Sequence, residues 1–224
     1  MIPLLNEEET IEELVQRVNQ VIDNLSEINS EIIFVNNGST DKTADLISAS
    51  SKLDDRVTVV NFSRNFGHQN AVVAGLEKSS GDVVFVMDGD LQDLPEIISE
   101  MLLVWEQGAD VDILVDTGDF RLMDRKVVDA FLQCKEKSPF IRGIVAWLGF
   151  TQKEFLYDRD IRFEGKIKYS FSKMLKFSMD GVFSMFFSAV QFFTLAIIGE
   201  YILITGGILK TFNYYKKNNE EYVN

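Results

Sequence analysis

Ser80–Glu96 reads SGDVVFVMDGDLQDLPE. Asp82–Met87 is an apolar run that predicts a buried strand, and it ends at Asp88-Gly89-Asp90. Carboxylates emerging at the end of such a strand have no structural partner implied by the run itself. With Gly89 between them, Asp88 and Asp90 can turn toward one point, and Gln92 adds a neutral oxygen. Two carboxylates and an amide suit a hard divalent cation that keeps positions open for diphosphate oxygens. The alternative reading of the same residues is an Asp-rich turn that caps the helix after Pro95.

The segments before this strand alternate in type. Glu7–Leu25 carries apolar residues at helical spacing (Ile11, Leu14, Val15, Val18, Val21, Ile22, Leu25). Glu31–Val35 is a short apolar strand ending at Asn36-Asn37-Gly38-Ser39-Thr40-Asp41. Thr43–Ser51 reads as helix, Val57–Phe62 as strand, Gln69–Lys78 as helix and, beyond the Asp-rich turn, Glu96–Gln107 as helix. Strands alternating with helices predict an α/β fold, a mostly parallel sheet with flanking helices. Ligands of such sheets bind at the carboxyl ends of the strands, where NNGSTD and DGDLQD both fall. NNGSTD is either a turn, with Ser39 or Asp41 capping the next helix, or a shelf for a base and ribose. No GxGxxG and no GxxxxGK[ST] loop occurs, so dinucleotide and P-loop readings lack their phosphate cradles.

Composition narrows the function classes. The 224 residues carry 22 Lys+Arg against 35 Asp+Glu, a net charge of −13, which argues against nucleic acid as a partner. A single cysteine, Cys134, excludes a disulfide framework and a cysteine zinc cluster, and it reads as a small core residue. The lone His68 opens a helix and reads as a capping or supporting residue. Charge is uneven: residues 1–150 hold 12 basic and 27 acidic side chains, and 151–224 hold 10 and 8.

The far end of the chain is different in kind. The N-terminus shows no signal-peptide pattern, whereas Gly181–Gly199 contains no charged residue. A helix over Val182–Gly199 would span about 27 Å at about 1.5 Å per residue, close to a hydrocarbon core of about 30 Å. Arg159, Arg162, Lys166, Lys168, Lys173 and Lys176 form a basic collar ahead of it, against Asp160 and Glu164. Such a collar suits a cytoplasmic membrane face. The expected organisation is a catalytic domain over 1–150, a basic juxtamembrane segment over 151–180, a membrane segment over 181–209 and a tail over 210–224. A buried helix of a soluble protein is the other way to read the apolar run.

Taken together, PLLNEE (Pro3–Glu8), NNGSTD, SRNFGHQNAVVAGL (Ser63–Leu76) and SGDVVFVMDGDLQDLPE resemble the family 2 glycosyltransferases with a GT-A fold. VDTGDFRLMDRKVVDAF (Val115–Phe131), IRGIVAWLGF (Ile141–Phe150), RFEGKIKYSFSKMLKFSMDG (Arg162–Gly181) and LAIIGEYI (Leu195–Ile202) narrow the likeness to the polyprenyl-phosphate glycosyltransferases. These comprise bactoprenol glucosyltransferases and their dolichol-phosphate mannose synthase relatives. The resemblance implies inverting transfer of a hexose, UDP-glucose being the expected nucleotide-sugar donor, to a polyprenyl phosphate at the cytoplasmic leaflet. Pro3, Leu5, Glu7 and Asn37 match nucleotide-holding positions. Asp88, Asp90 and Gln92 match the Mg²⁺ or Mn²⁺ and diphosphate site. Asp119 and Arg121 match acceptor-end positions, with Asp119 either a base or the group that orients Arg121. Arg162 and Lys168 match juxtamembrane residues that hold phosphates. Relatives with short membrane parts self-associate, so a homo-oligomer is a further expectation.

Four departures accompany the likeness. The opening strand is short; Asn36-Asn37-Gly38-Ser39 stands where DDGS is usual; one membrane helix is matched rather than two. After Ala109-Asp110-Val111 the chain passes almost directly to Asp112–Gly118, which predicts the loss of a sheet edge, a phosphate-binding arginine and much of the acceptor platform.

Overall fold

The computed structural model describes residues 1–25, 27–107, 111–115, 120–134 and 139–155, all within one compact unit, Met1–Lys168. The elements run β1 (Ile2–Leu4), α1 (Ile11–Asn24), β2 (Ile32–Asn36), α2 (Thr43–Leu53), β3 (Val57–Asn61), α3 (His68–Lys78), β4 (Val83–Val86) and α4 (Ile97–Glu106). β5 (Ile113–Val115), β6 (Arg121–Asp124), α5 (Arg125–Gln133), α6 (Ile141–Trp147) and β7 (Gln152–Glu154) follow.

β1, β2 and β3 pair in parallel, and β4, β6, β5 and β7 pair in that order. Main-chain bonds at Met1 join the two groups: its nitrogen donates to Phe85 O at 2.6 Å, and Met87 N–H donates to Met1 O at 3.3 Å. The strands therefore run β3-β2-β1-β4-β6-β5-β7, with β6 antiparallel to both neighbours and β7 parallel to β5.

Strand composition follows from burial on two faces. In β2, Ile32 and Phe34 enter one core while Ile33 and Val35 enter the other, which is why the run has no polar alternation. The first core gathers Ile11, Leu14 and Val18 of α1, Ile47 of α2 and Met101 of α4. The second gathers Ala71, Val72 and Leu76 of α3, Val127, Val128 and Phe131 of α5 and Ile141 and Val145 of α6. On α1 the buried Ile11, Leu14, Val18 and Val21 recur at three- and four-residue intervals, one stripe of a helix.

After Asp110, where the sequence predicts the loss of a sheet edge, the sheet does not end at β4. β6 pairs with β4, β5 with β6 and β7 with β5, so the sheet continues three strands beyond β4. These strands hold three or four residues each, too few to show a period. Among the described residues no helix is long and apolar enough to cross a membrane. The apolar run 181–209, the tail and the basic collar lie outside the described residues.

Candidate active site

The strand order reverses between β1 and β4: the chain goes from β1 outward to β2 and β3, then returns to β4 on the other side. Loops after two such strands diverge and leave a crevice at their carboxyl ends. The sequence places Leu5–Thr10 after β1 and Met87–Pro95 after β4, so both loops flank that crevice.

The loop after β1 is laced to the loop after β2. Asn6 takes a left-handed backbone, φ 56°, which asparagine tolerates. Its Oδ1 accepts from Thr40 N–H at 2.8 Å, and its N–H donates to Ser39 Oγ at 3.0 Å. Glu7 N–H donates to Thr43 Oγ1 at 2.8 Å, and Glu8 N–H to Asp41 Oδ2 at 3.2 Å. Asp41 also accepts from Thr43 N–H at 3.0 Å, so Asp41 serves the start of α2 and Ser39 serves Asn6. Burial would raise the Asp41 pKa, but the bonds from Thr43 and Glu8 outweigh it and hold the carboxyl below the usual range.

Of the four nucleotide-site candidates, Pro3 is buried in β1 opposite Val35, and Leu5 and Glu7 are half-buried just beyond it. Asn37 is 3% exposed. Its N–H donates to Leu4 O at 2.9 Å, its Oδ1 accepts from Phe66 N–H at 2.9 Å, and its Nδ2 donates to Asn65 Oδ1 at 3.2 Å. Asn37 thus ties β1 and the Ser63–Gly67 loop to the end of β2. Gly38 is required beside it: φ is 71°, and a Cβ would lie 2.6 Å from Arg64 Cα and from Asn65 N. On that loop the Arg64 guanidinium sits 4.0 Å over the half-exposed Phe66 ring.

The loop after β4 holds the cation candidates. Asp88, 40% exposed at its side chain, has Oδ1 3.7 Å from His68 Nε2. Asp90 Oδ1 accepts from Gln92 N–H at 3.2 Å. Between them Leu91 is left-handed, φ 59°, with a side chain 2% exposed in the core. That conformation is unusual for a leucine and persists because the core holds the side chain. Gly89 O accepts from the buried Thr10 Oγ1 at 2.9 Å, and a Cβ on Gly89 would strike Leu4 Cδ2. Arg121 is 3% exposed and stands opposite Val86, so β6 delivers it to the same end of β4 as Asp88.

The structure thus brings Pro3, Leu5, Glu7, Asn37, Asp88, Asp90, Gln92 and Arg121 to one rim. Asp119, Arg162 and Lys168 lie outside the described residues. Thr10 and Leu91 were not singled out from sequence. Thr10 meets Gly89 across 79 residues, and no local pattern announces that contact or the backbone angle at Leu91.

Among the described residues no group of three or more His, Cys, Asp or Glu side chains is arranged to hold a metal. The donor set still fits Mg²⁺ or Mn²⁺ in an open site. Magnesium in nucleotide enzymes takes one or two carboxylates, and phosphates and water complete its shell. Asp88 and Asp90, partly exposed at the rim, offer that number.

The mostly parallel sheet, its reversal at β1/β4 and the carboxylate-bearing rim define a GT-A, Rossmann-like α/β fold. The chain belongs to glycosyl transferase family 2, whose family model matches residues 1–125. It is 42% identical over 214 residues to the uncharacterized glycosyltransferase YkcC of Bacillus subtilis, covering 81% of this chain and 66% of that protein. It is 32% identical over 216 residues to the bactoprenol glucosyl transferase of Shigella phage SfV, covering 82% and 70%. The chain spans about two thirds of the length of these relatives. Among solved structures, glucosyl-3-phosphoglycerate synthase of Mycobacterium tuberculosis, in complex with Mn²⁺, UDP and phosphoglyceric acid, superposes with a TM-score of 0.60. Identity is 18%, over 83% of this chain and 75% of that one.

Proposed function

We propose that the chain transfers a hexose, with UDP-glucose as donor, to a polyprenyl phosphate at the cytoplasmic face of the cell membrane, inverting the anomeric carbon. The observation that carries this reading is the meeting of Asp88 and Asp90 with the β1 loop and Arg121 at the sheet's reversal point. The relative named bactoprenol glucosyl transferase supports the lipid acceptor, and the basic collar and apolar run 181–209 support a membrane surface as its source.

Asp88, Asp90 and Gln92 would hold Mg²⁺ or Mn²⁺. When bound, the ion offsets charge developing on the departing nucleoside diphosphate. Pro3, Leu5 and Glu7 line the nucleotide side, and Asn37 keeps the adjoining loop in place. A lipid phosphate with a second pKa of about 6 is largely dianionic at neutral pH, so it attacks without a strong general base. Arg121, with Arg162 and Lys168, aligns two phosphates that repel one another, arginine in bidentate fashion. Asp119 orients Arg121 or takes the remaining proton.

Membranes carrying the protein, given radiolabelled UDP-glucose and undecaprenyl phosphate, are expected to form labelled glycolipid. EDTA or Asp90→Ala is expected to lower the rate by at least about 100-fold, the scale of losing a group that stabilises developing charge. Full activity in Asp90→Ala would overturn the site assignment. A second reading, a relative that binds nucleotide or partner subunits without transfer, has one observation in its favour. The alignment to YkcC runs over 214 positions but takes 81% of 224 residues, about 181, which supports missing internal blocks. Nucleotide binding without labelled lipid would favour that reading.

A further inference from the structure

Thr10 stands at the N-cap position of α1, where a threonine hydroxyl ordinarily accepts from an amide of the first helical turn. Here its side chain makes no such bond. Oγ1 donates instead to Gly89 O at 2.9 Å and lies 3.3 Å from Glu7 O. A hydroxyl has one proton, and the shorter approach places it on Gly89 O. Thr10 is 2% exposed and Gly89 is buried, so solvent does not substitute for this donor.

The carbonyl it holds is the oxygen of the Gly89–Asp90 peptide. A peptide is planar, so fixing that oxygen fixes the plane from which the Asp90 backbone departs. One residue beyond, Leu91 holds φ 59° with its side chain in the same core that takes Leu4, Leu14 and Ile97. Asp90 therefore sits between two fixed points, a hydrogen bond before it and a buried side chain after it. Glu7 O meanwhile accepts from both Thr10 N–H and Ile11 N–H at 3.1 Å, so Thr10 also ties the β1 loop to this carbonyl.

We infer that Thr10 is a positioning residue for the cation site: its hydroxyl locks the Gly89–Asp90 peptide so that Asp90 presents its carboxylate to the ion. This rests on the assignment of Asp88, Asp90 and Gln92 as the cation's ligands. Hydrogen-bonding partners that orient metal ligands are worth about 10- to 100-fold in affinity.

The test measures Mn²⁺ affinity of the full chain in the presence of UDP, by the paramagnetic resonance of free Mn²⁺, alongside thermal unfolding. Thr10→Ser is expected to bind like the wild type, Thr10→Cys more weakly, and Thr10→Val about 10-fold or more weakly while still folded. Absent Mn²⁺ binding in the wild type, or undiminished binding in Asp90→Asn, overturns the ligand assignment itself. Tight binding by the wild type and equally tight binding by Thr10→Val overturns the role of Thr10 alone. Serine as weak as valine would mean that a retained hydroxyl does not preserve the site, and also overturns it. Should Thr10→Val fail to fold, serine and cysteine decide: equal affinities refute the inference, and a weaker cysteine upholds it.

Discussion

Asn37 accepts with one end of its amide and donates with the other, and its neighbours determine which end is which. Phe66 N–H is a donor only, so the atom facing it is Oδ1; Gly67 N–H donates to Asn65 Oδ1 at 2.8 Å, so the atom facing Asn37 Nδ2 is also an oxygen. An aspartate at this position, the residue expected from the family pattern, would set a buried carboxylate oxygen against that of Asn65. Asn37→Asp is therefore expected to cost about 1–3 kcal/mol at neutral pH, the scale of an unsatisfied buried polar group. Burial and the facing oxygen raise the new carboxyl's folded pKa, so the penalty applies above that pKa and shrinks as pH falls through it. Urea unfolding at pH 7 and pH 5 checks both sign and trend; a variant as stable as the parent at pH 7 would contradict the network. At this scale the sequence showed which residues carry charge or amides at strand ends. It did not show that Asn37 would be occupied with its own loop, because its partners lie 28 and 29 residues away.

Elements built from continuous apolar runs were legible, and those closed by ion pairs were not. EIIFV and DVVFVM announced β2 and β4 because both faces of these strands are covered. β7 is Gln-Lys-Glu, fully exposed, and holds its place through neighbours instead. Asp112 takes Lys126 Nζ at 2.6 Å and Thr151 N–H at 2.8 Å, which joins β5, α5 and the start of β7 in one contact. The Lys126 ammonium, chiefly, and the Thr151 amide hold the Asp112 carboxyl below the usual aspartate range, against a smaller opposing effect of burial. Because the folded pKa is depressed, this stabilisation is complete above about pH 3.9, the ordinary aspartate value, and fades as pH falls through the folded pKa below it. Lys126 is 58% exposed, so solvent limits the pair to about 0.2–1 kcal/mol. Lys126→Met is expected to cost that much at pH 7 and progressively less in acid. The loss should be concentrated in faster hydrogen exchange at Ile113 and Phe155, whose amides bind across this edge. Uniformly unchanged exchange would mean β7 is held by its ladder alone.

Across the whole molecule the charges set a condition on donor binding that no single residue reveals. Residues 1–150 hold 27 acidic and 12 basic side chains, and Asp88 and Asp90 stand at the rim where the proposed function puts the donor's diphosphate. Electrostatic interactions reach about 8 Å at physiological salt, so the rim carboxylates act on that diphosphate while most of the surface charge is screened. Without a cation, two carboxylates face a doubly or triply charged anion; with one, the same carboxylates become its anchor. The sign of their contribution therefore reverses with the metal. UDP in EDTA is expected to leave the melting temperature nearly unchanged. UDP with Mn²⁺, at about 100 times its dissociation constant, should add about 2.7 kcal/mol of stability. Asp88→Asn with Asp90→Asn should lose the Mn²⁺-dependent increment and bind UDP in EDTA more tightly than the wild type does. That crossing separates a cation site from a structural turn, since a turn that merely shaped the loop would weaken UDP under both conditions. Equal stabilisation of the wild type by UDP with and without metal would place the diphosphate away from these carboxylates.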